Sequence, residues 1–210
     1  MNVQKRNPLP YLILLAFLAG GLGFYLFSLG PLPGAHTSGS KTPDLSGNGG
    51  YRDFAKGPMA AFLVKPERPA VPDLNFKGAQ GNGLKLSQWK GRVVLVNLWA
   101  TWCAPCRKEM PTLADLQKQL GSKDFEVIAM SVDRKGIEAS SAYLKETGAD
   151  ALGLYVDETT KSLGDLQGLG LPLSILVDRK GREIGRLLGP AEWNSSEAMA
   201  LVKAAIAEVP

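Results

Sequence analysis

One histidine and two cysteines in 210 residues leave this chain little with which to hold a metal ion or run imidazole chemistry. The histidine, His36, lies in an N-terminal stretch rich in Gly, Ser and Pro. Cys–His nucleophile pairs and His-containing zinc sites are thereby excluded from the rest of the chain. Two cysteines cannot build a disulfide framework either, and Cys103 and Cys106 are too close together for a bridge between them to remove much unfolded-state entropy. Such a pair is suited to being made and broken. Acidic excess is lacking as well: the net charge is +4, all of it carried by residues 1–72, while residues 73–210 hold 17 basic and 17 acidic side chains. A phosphate-binding face on that larger part is not expected, and neither is a nucleic-acid partner. With 45% hydrophobic and 21% charged residues, the composition is that of a globular protein and not of a disordered or collagen-like one.

What is present begins with residues 9–29, an apolar run without one charge. Crossing a bilayer as helix takes about 20 such residues, so the run predicts a single transmembrane helix. Lys5 and Arg6 precede it, which keeps residues 1–8 cytoplasmic and sends the rest outside, into the periplasm. A cleaved signal peptide is the competing reading; its core is shorter, and residues 28–35 form a poor cleavage site. The small residues Ala16, Ala19, Gly20 and Gly23 either offer a helix-dimer face or are simply small residues in a lone anchor. Residues 30–50, rich in Gly, Pro, Ser, Asn and Thr, read as a flexible tether. Residues 51–72 form an extension expected to pack on the domain: 51–65 are more apolar than a linker and read as a short helical or irregular segment, and Pro66, Pro69 and Pro72 lead into the fold.

The domain proper, 73–210, opens with a β-hairpin from short strands at Ala70–Phe76 and Leu84–Leu86 around a Gly-rich turn. Val93–Ala100 is a near-continuous apolar run of strand length, suited to burial on both faces. A helix is predicted from Cys103 to Leu120 with Pro111 inside it, then a strand at Phe125–Val132 and a helix at Ile137–Thr147 closed by Gly148. A third strand at Leu152–Val156, a short helix at Thr160–Leu166, a hairpin spanning Leu173–Leu188 and a final helix at Asn194–Val209 complete the chain. This order implies an α/β fold, a mixed central sheet flanked by helices.

A strand turning straight into a helix puts Cys103 at a helix N-terminus, where unpaired N–H groups and the helix dipole favour a thiolate. Cys103 is therefore expected to be the exposed nucleophile, and Cys106, one turn on, the resolving thiol. Pro105 falls in the first turn, where its missing N–H costs nothing. A metal-binding Cys-x-x-Cys remains the rival reading, either a copper carrier or half of a zinc knuckle. The flanking Trp102 and the internal Pro105 favour exchange, and zinc would need two further ligands. A thiol peroxidase on the same fold would want a lone peroxidatic cysteine.

Asn97 to Pro111 reads Asn-Leu-Trp-Ala-Thr-Trp-Cys-Ala-Pro-Cys-Arg-Lys-Glu-Met-Pro. This stretch resembles the active-site segment of the thioredoxin superfamily, and more closely that of its membrane-anchored TlpA-like branch. Asp73-Leu74, Leu86-Ser87 and Gly189-Pro-Ala-Glu-Trp193 are similar to the same branch, so the likeness covers the chain from about residue 52 to its end. The resemblance implies a thioredoxin fold and a thiol:disulfide oxidoreductase with no cofactor beyond a redox-active Cys103–Cys106 disulfide. It implies that Gly170-Leu-Pro172 is the loop bearing a cis-proline, with Leu171 offering backbone groups to substrate and Pro172 facing the cysteines. Trp102, Ala104, Pro105, Leu171 and Pro172 then form the substrate-binding set. Trp99 and Trp102 serve both as hydrophobic cover and as partner contact surface, and Arg107 and Lys108 as a solvated face.

Thioredoxins carry a buried Asp six residues before the first cysteine as proton acceptor for the resolving thiol. Here that position is Asn97, which takes up no proton. Glu109, three residues past Cys106, matches an acid of related membrane-anchored thiol reductases and is either the replacement or a solvated surface acid. The resemblance further implies a reductant, fed by a membrane thiol-electron donor. Its clients would be disulfide-bearing copper chaperones or oxidase subunits in cytochrome oxidase assembly, or else apocytochrome c before haem attachment.

Overall fold

The computed structural model describes residues 48–208. The predicted anchor at 9–29, the cytoplasmic 1–8 and most of the tether lie outside these residues. Among the described residues no helix is long and apolar enough to cross a membrane.

Among the described residues eight strands form one sheet: β1 (Leu63–Val64), β2 (Asn75–Lys77), β3 (Gly83–Lys85), β4 (Val93–Trp99), β5 (Phe125–Ser131), β6 (Tyr155–Val156), β7 (Leu173–Val177) and β8 (Glu183–Leu188). Their spatial order is β1-β8-β7-β4-β5-β6-β2-β3. β4, β5 and β6 run parallel to one another, and every other pairing is antiparallel. The helices are α1 (Ala104–Leu120), α2 (Gly136–Glu146), α3 (Lys161–Asp165) and α4 (Ser196–Ala207). The mixed sheet matches the expectation from sequence. All seven residues of β4 are buried, so its apolar run is covered on both faces.

Local chemistry sets the helix ends. Ser195 caps α4 by accepting a hydrogen bond from the Ala198 N–H at 3.3 Å, so the helix starts after Asn194 and not at it. At the end of α2, Gly148 takes a left-handed φ of +66°. There the Ala149 N–H donates to Leu144 O and the Gly148 N–H to Lys145 O, which closes the last turn. Along α1 the buried residues Cys106, Glu109, Met110, Leu113, Ala114 and Leu116 recur at helical spacing. One of them is an acid.

Two strands are much shorter than the sequence suggests. The stretch from Ala70 makes only a bridge to Arg182, and β2 begins at Asn75, because Pro72 lacks an N–H. Asp73 is instead engaged by the Ser87 amide and hydroxyl, which lets the chain turn at Leu86. The third predicted strand is reduced to Tyr155–Val156, since Ala149–Leu152 closes a turn. The hairpin β2–β3 is joined to the main sheet through the β2–β6 pairing.

Residues 48–64 are more closely integrated than a segment laid against a domain. A 3-10 stretch at Asn48–Phe54 overlaps the end of the predicted tether, and a second follows at Gly57–Met59. They bury Tyr51, Met59 and Phe62, and the chain then enters the sheet as β1 against β8. Arg68 ties this region to the C-terminal helix: its guanidinium bonds Glu208 at 2.9 Å, and the Tyr51 hydroxyl donates to the same carboxylate at 2.7 Å.

Candidate active site at the Cys103–Cys106 disulfide

β4 delivers the chain to Trp99, Cys103 is the N-cap of α1, and Cys106 lies in its first turn. The two sulfurs form a disulfide. The Cys106 N–H points at Cys103 Sγ at 3.3 Å, a capping bond in which sulfur stands where a hydroxyl or carboxylate oxygen usually sits. That amide and the helix dipole favour negative charge on the Cys103 sulfur, whereas Cys106 has no such donor on its sulfur among the described residues.

Cys103 is less open than expected, at 5% exposure against 0% for Cys106. It lines a groove together with Trp102, Pro105, Leu163 and Leu171. Trp102 stands out at 69% exposure, and Ala104 and Pro105 are exposed beside it. Trp99 is not part of any contact surface. It is fully buried and its indole N–H donates to Ala129 O at 3.2 Å, because its place on the central strand turns it inward. Arg107 and Lys108 are exposed on α1.

The Leu171–Pro172 peptide is cis. Leu171 is half-buried and lines the groove with Cys103, whereas Pro172 is buried and its carbonyl accepts a hydrogen bond from Gly189 N. The structure thus brings Trp102, Cys103, Ala104, Pro105 and Leu171 into one concavity, while Pro172 does not border that groove.

Glu109 is buried at 1% exposure, which removes the surface-acid reading. Its Oε1 accepts from Asn97 Nδ2 at 2.8 Å, and its Oε2 accepts from the Ala191 N–H at 3.0 Å and the Trp193 indole at 3.2 Å. Burial pushes its pKa up to about 7, opposed by the Ala191 amide, Asn97 and Trp193 donors. Asn97 is fully buried and stands opposite Ser174 in the β4–β7 register; its Nδ2 also donates to Ser174 Oγ at 2.9 Å. Glu109 also borders a surface hollow lined by Lys108, Thr112, Pro190 and Asn194.

Sequence reasoning missed Trp193 and Ser174 as members of this network. The signal was a polar residue in each of two otherwise apolar strands, Asn97 in β4 and Ser174 in β7, since buried polar groups need partners. Also missed was Asp133, whose carboxylate accepts from the Thr101 hydroxyl and amide and the Lys135 amide. Burial alone would raise its pKa, but those hydrogen bonds prevail and hold it below the usual carboxylate range. No group of three or more His, Cys, Asp or Glu side chains among the described residues is placed to hold a metal ion.

The Redoxin family model matches residues 65–202, most of the described chain. The chain belongs to the Redoxin family. Among relatives, a thiol-disulfide oxidoreductase ResA of Bacillus cereus is 30% identical over 189 residues, covering 89% of this chain and 91% of that one. The thiol:disulfide interchange protein HelX of Rhodobacter capsulatus is 34% identical over 133 residues, or 63% of this chain and 72% of the other. A crystal structure of a protein assigned as the thiol:disulfide interchange protein DsbE from Chlorobium tepidum superposes with a TM-score of 0.60 at 28% identity, covering 67% of this chain and 97% of that one. Like these relatives, this redoxin has the thioredoxin fold, and it is a thiol:disulfide oxidoreductase.

Proposed function

We propose that this oxidoreductase is a membrane-tethered, periplasmic reductant of client disulfides, acting in the assembly of the copper sites of cytochrome oxidase. The observation that carries the redox part is the capping geometry of Cys103, whose sulfur receives the Cys106 N–H at 3.3 Å. The charge-free run at 9–29 behind Lys5 and Arg6 supports the tether. The TlpA-like stretch from Asn97 to Pro111 supports the choice of pathway. Reduction of apocytochrome c would use the same chemistry and the same face, and the trap described below separates the two.

The reaction runs in two displacements. The Cys103 thiolate attacks one sulfur of a client disulfide; a Cys103–client bond forms and the other client sulfur leaves as a thiolate that takes up a proton. Glu109, one helical turn from Cys106, accepts the Cys106 proton. The Cys106 thiolate then attacks Cys103 Sγ, and the client's second sulfur departs reduced. The protein has given two electrons and is left with the Cys103–Cys106 disulfide, the state seen here. A membrane thiol donor restores the dithiol. The disulfide itself is the only redox group this sequence of steps needs. Trp102, Ala104, Pro105 and Leu171 form the client-facing rim, and Pro172 holds the loop behind it.

A Cys106→Ser variant removes the resolving thiol, so clients remain bound to Cys103. The expected result is a disulfide-linked adduct, released by reductant, containing a copper-site protein; an apocytochrome c in its place would select the other pathway. If the trap held nothing while the reduced wild type bound copper stoichiometrically, the copper-carrier reading would replace this one.

A further inference from the structure

The groove beside Cys103 is lined by apolar and by charged residues. The apolar ones are Trp102, Val132, Leu163 and Leu171, and Leu169 two residues before Leu171 is 92% exposed. Isolated exposed apolar residues need no explanation, but several around one reactive sulfur mark a contact surface. The charged part of the lining is Asp133-Arg134-Lys135, at the start of the β5–α2 connection. Asp133 accepts from the Thr101 hydroxyl and amide, and the Lys135 charge also acts on its carboxylate. Arg134 and Lys135 are exposed, and no ion pair among the described residues uses either. Two acids further along the chain are already engaged: Glu158 with Lys77 at 2.8 Å, and Asp165 with Lys161 at 3.9 Å.

We infer that the groove selects client segments in which the target cysteine is flanked by an apolar residue and a carboxylate, the apolar side chain packing on Trp102 and Leu171 and the carboxylate meeting Arg134 and Lys135. The inference rests on the reading of Cys103 as the residue that attacks client disulfides. Charge complementarity commits the occupant. A basic segment would bring like charge against two exposed cations, whereas an acidic one gains a fork-shaped guanidinium partner in Arg134. A groove that funnels one sign of charge toward a reactive atom raises encounter rates and discriminates between partners at the same time.

The test uses the full-length chain, reduced and held in a non-ionic detergent. It is mixed with two peptide disulfides, each a homodimer of a short peptide with one cysteine beside a leucine, one carrying flanking aspartates and the other flanking lysines. The second-order rate of peptide thiol release is read for each. At about 0.02 M salt the acidic peptide is expected to react about tenfold faster or more, and at about 0.5 M salt the advantage should shrink to within about twofold. In the double variant R134E/K135E the ratio of acidic to basic rates should invert; because the ratio is internal to each protein, a general loss of activity cancels. Equal rates for the two peptides on the wild type at low salt would overturn the inference, as would a preference that survives charge reversal. Bis(hydroxyethyl) disulfide, small and neutral, separates the two levels of argument. If the wild type reduces it without discriminating between the peptides, only the selectivity fails. If it reduces none of the three, the exchanger reading fails too.

Discussion

Asn97 Nδ2 donates to Glu109 Oε1 at 2.8 Å, linking the central strand to the first helix inside the core. The strand position that carries an acid in thioredoxins here carries an amide, and the acid sits on the helix instead, one turn beyond Cys106. Ser174 accepts from the same Asn97 amide, and the Ala191 N–H and Trp193 indole give Glu109 two further hydrogen bonds, while burial pushes its pKa up to about 7. Among the described residues Asn97 Oδ1 has no hydrogen-bond partner. Such polar side chains, fully buried, are costly unless satisfied, and here three donors to one carboxylate supply most of the compensation.

Glu109→Gln should change both rate and stability with pH. As proton acceptor for Cys106, Glu109 works only when ionised, so the wild-type exchange rate should rise through about pH 7, and the variant should lose that rise and be about 100-fold slower above it. For stability, the folded-state pKa lies above the ordinary 4.5, so the folded protein holds a proton that the unfolded chain has lost. The stabilising contribution is therefore full below about 4.5 and disappears as pH rises through about 7. Relative to Glu109→Gln, the wild type should lose about 2 kcal/mol between pH 5 and pH 8 in urea melts. Parallel stability profiles, or a rate for the variant that matches the wild type from pH 6 to 8, would remove Glu109 from the mechanism.

Asn97→Ala tests the same bond from the other end. Removing the amide takes away one donor that lowers the Glu109 pKa, while burial persists. The midpoint of the pH–rate profile should move to higher pH by about one unit, since a hydrogen bond to a charged group contributes about 1.5–3 kcal/mol. Rate constants measured from pH 6 to 9 with a small neutral disulfide are the check, and a midpoint that stays put would assign Asn97 a purely structural role.

Much of this site was legible in the sequence alone. The apolar run of β4, the break into Trp-Ala-Thr-Trp and the Cys-x-x-Cys placed the sulfurs at a helix start, because strand burial and helix capping are local in sequence. Glu109 was ambiguous for the opposite reason. Whether position 109 faces the core depends on Asn97, Ala191 and Trp193, which lie 12, 82 and 84 residues away. β1 was invisible because its two residues gain strand geometry only from pairing with β8, more than a hundred residues on. Periodicity cannot report so short a strand. The exposure expected of Cys103 failed likewise, since the groove over it is assembled from the β4–α1, β5–α2 and pre-β7 loops together.

Asp178 should be an acid-sensitive lock on the end of the sheet. Its Oδ1 accepts from the Lys180 and Arg182 amides and its Oδ2 from Arg182 Nε, with the Arg68 guanidinium at 3.3 Å. Burial opposes ionisation, yet the Arg182 contacts prevail and hold the carboxyl below its usual pKa. A depressed folded-state pKa gives stability that is present above the ordinary 3.8 and is lost as pH falls through the folded value. Asp178→Asn is expected to cost about 1–3 kcal/mol at pH 7 and progressively less as pH falls below the ordinary 3.8. A cost that does not change over that range would mean that the charge contributes nothing.

Gly185 on β8 decides whether residues 48–64 are built into the sheet. It pairs with Val64 of β1, and a methyl group there would lie 2.5 Å from the Phe62 ring and 2.7 Å from Leu63 O. The ring is buried at 2% exposure, and a backbone carbonyl has little freedom to shift. Gly185→Ala should therefore cost about 1–3 kcal/mol by overpacking, and Phe62→Ala about 3–5 kcal/mol by loss of buried ring. The double variant is the informative one. With the ring gone, the new methyl meets only the carbonyl, so the combined cost should be smaller than the two single costs added together. Denaturant melts of the four proteins measure that difference. Strict additivity would mean that Phe62 does not pack on β8 in solution, and that β1 is a loosely attached strand and not part of the core.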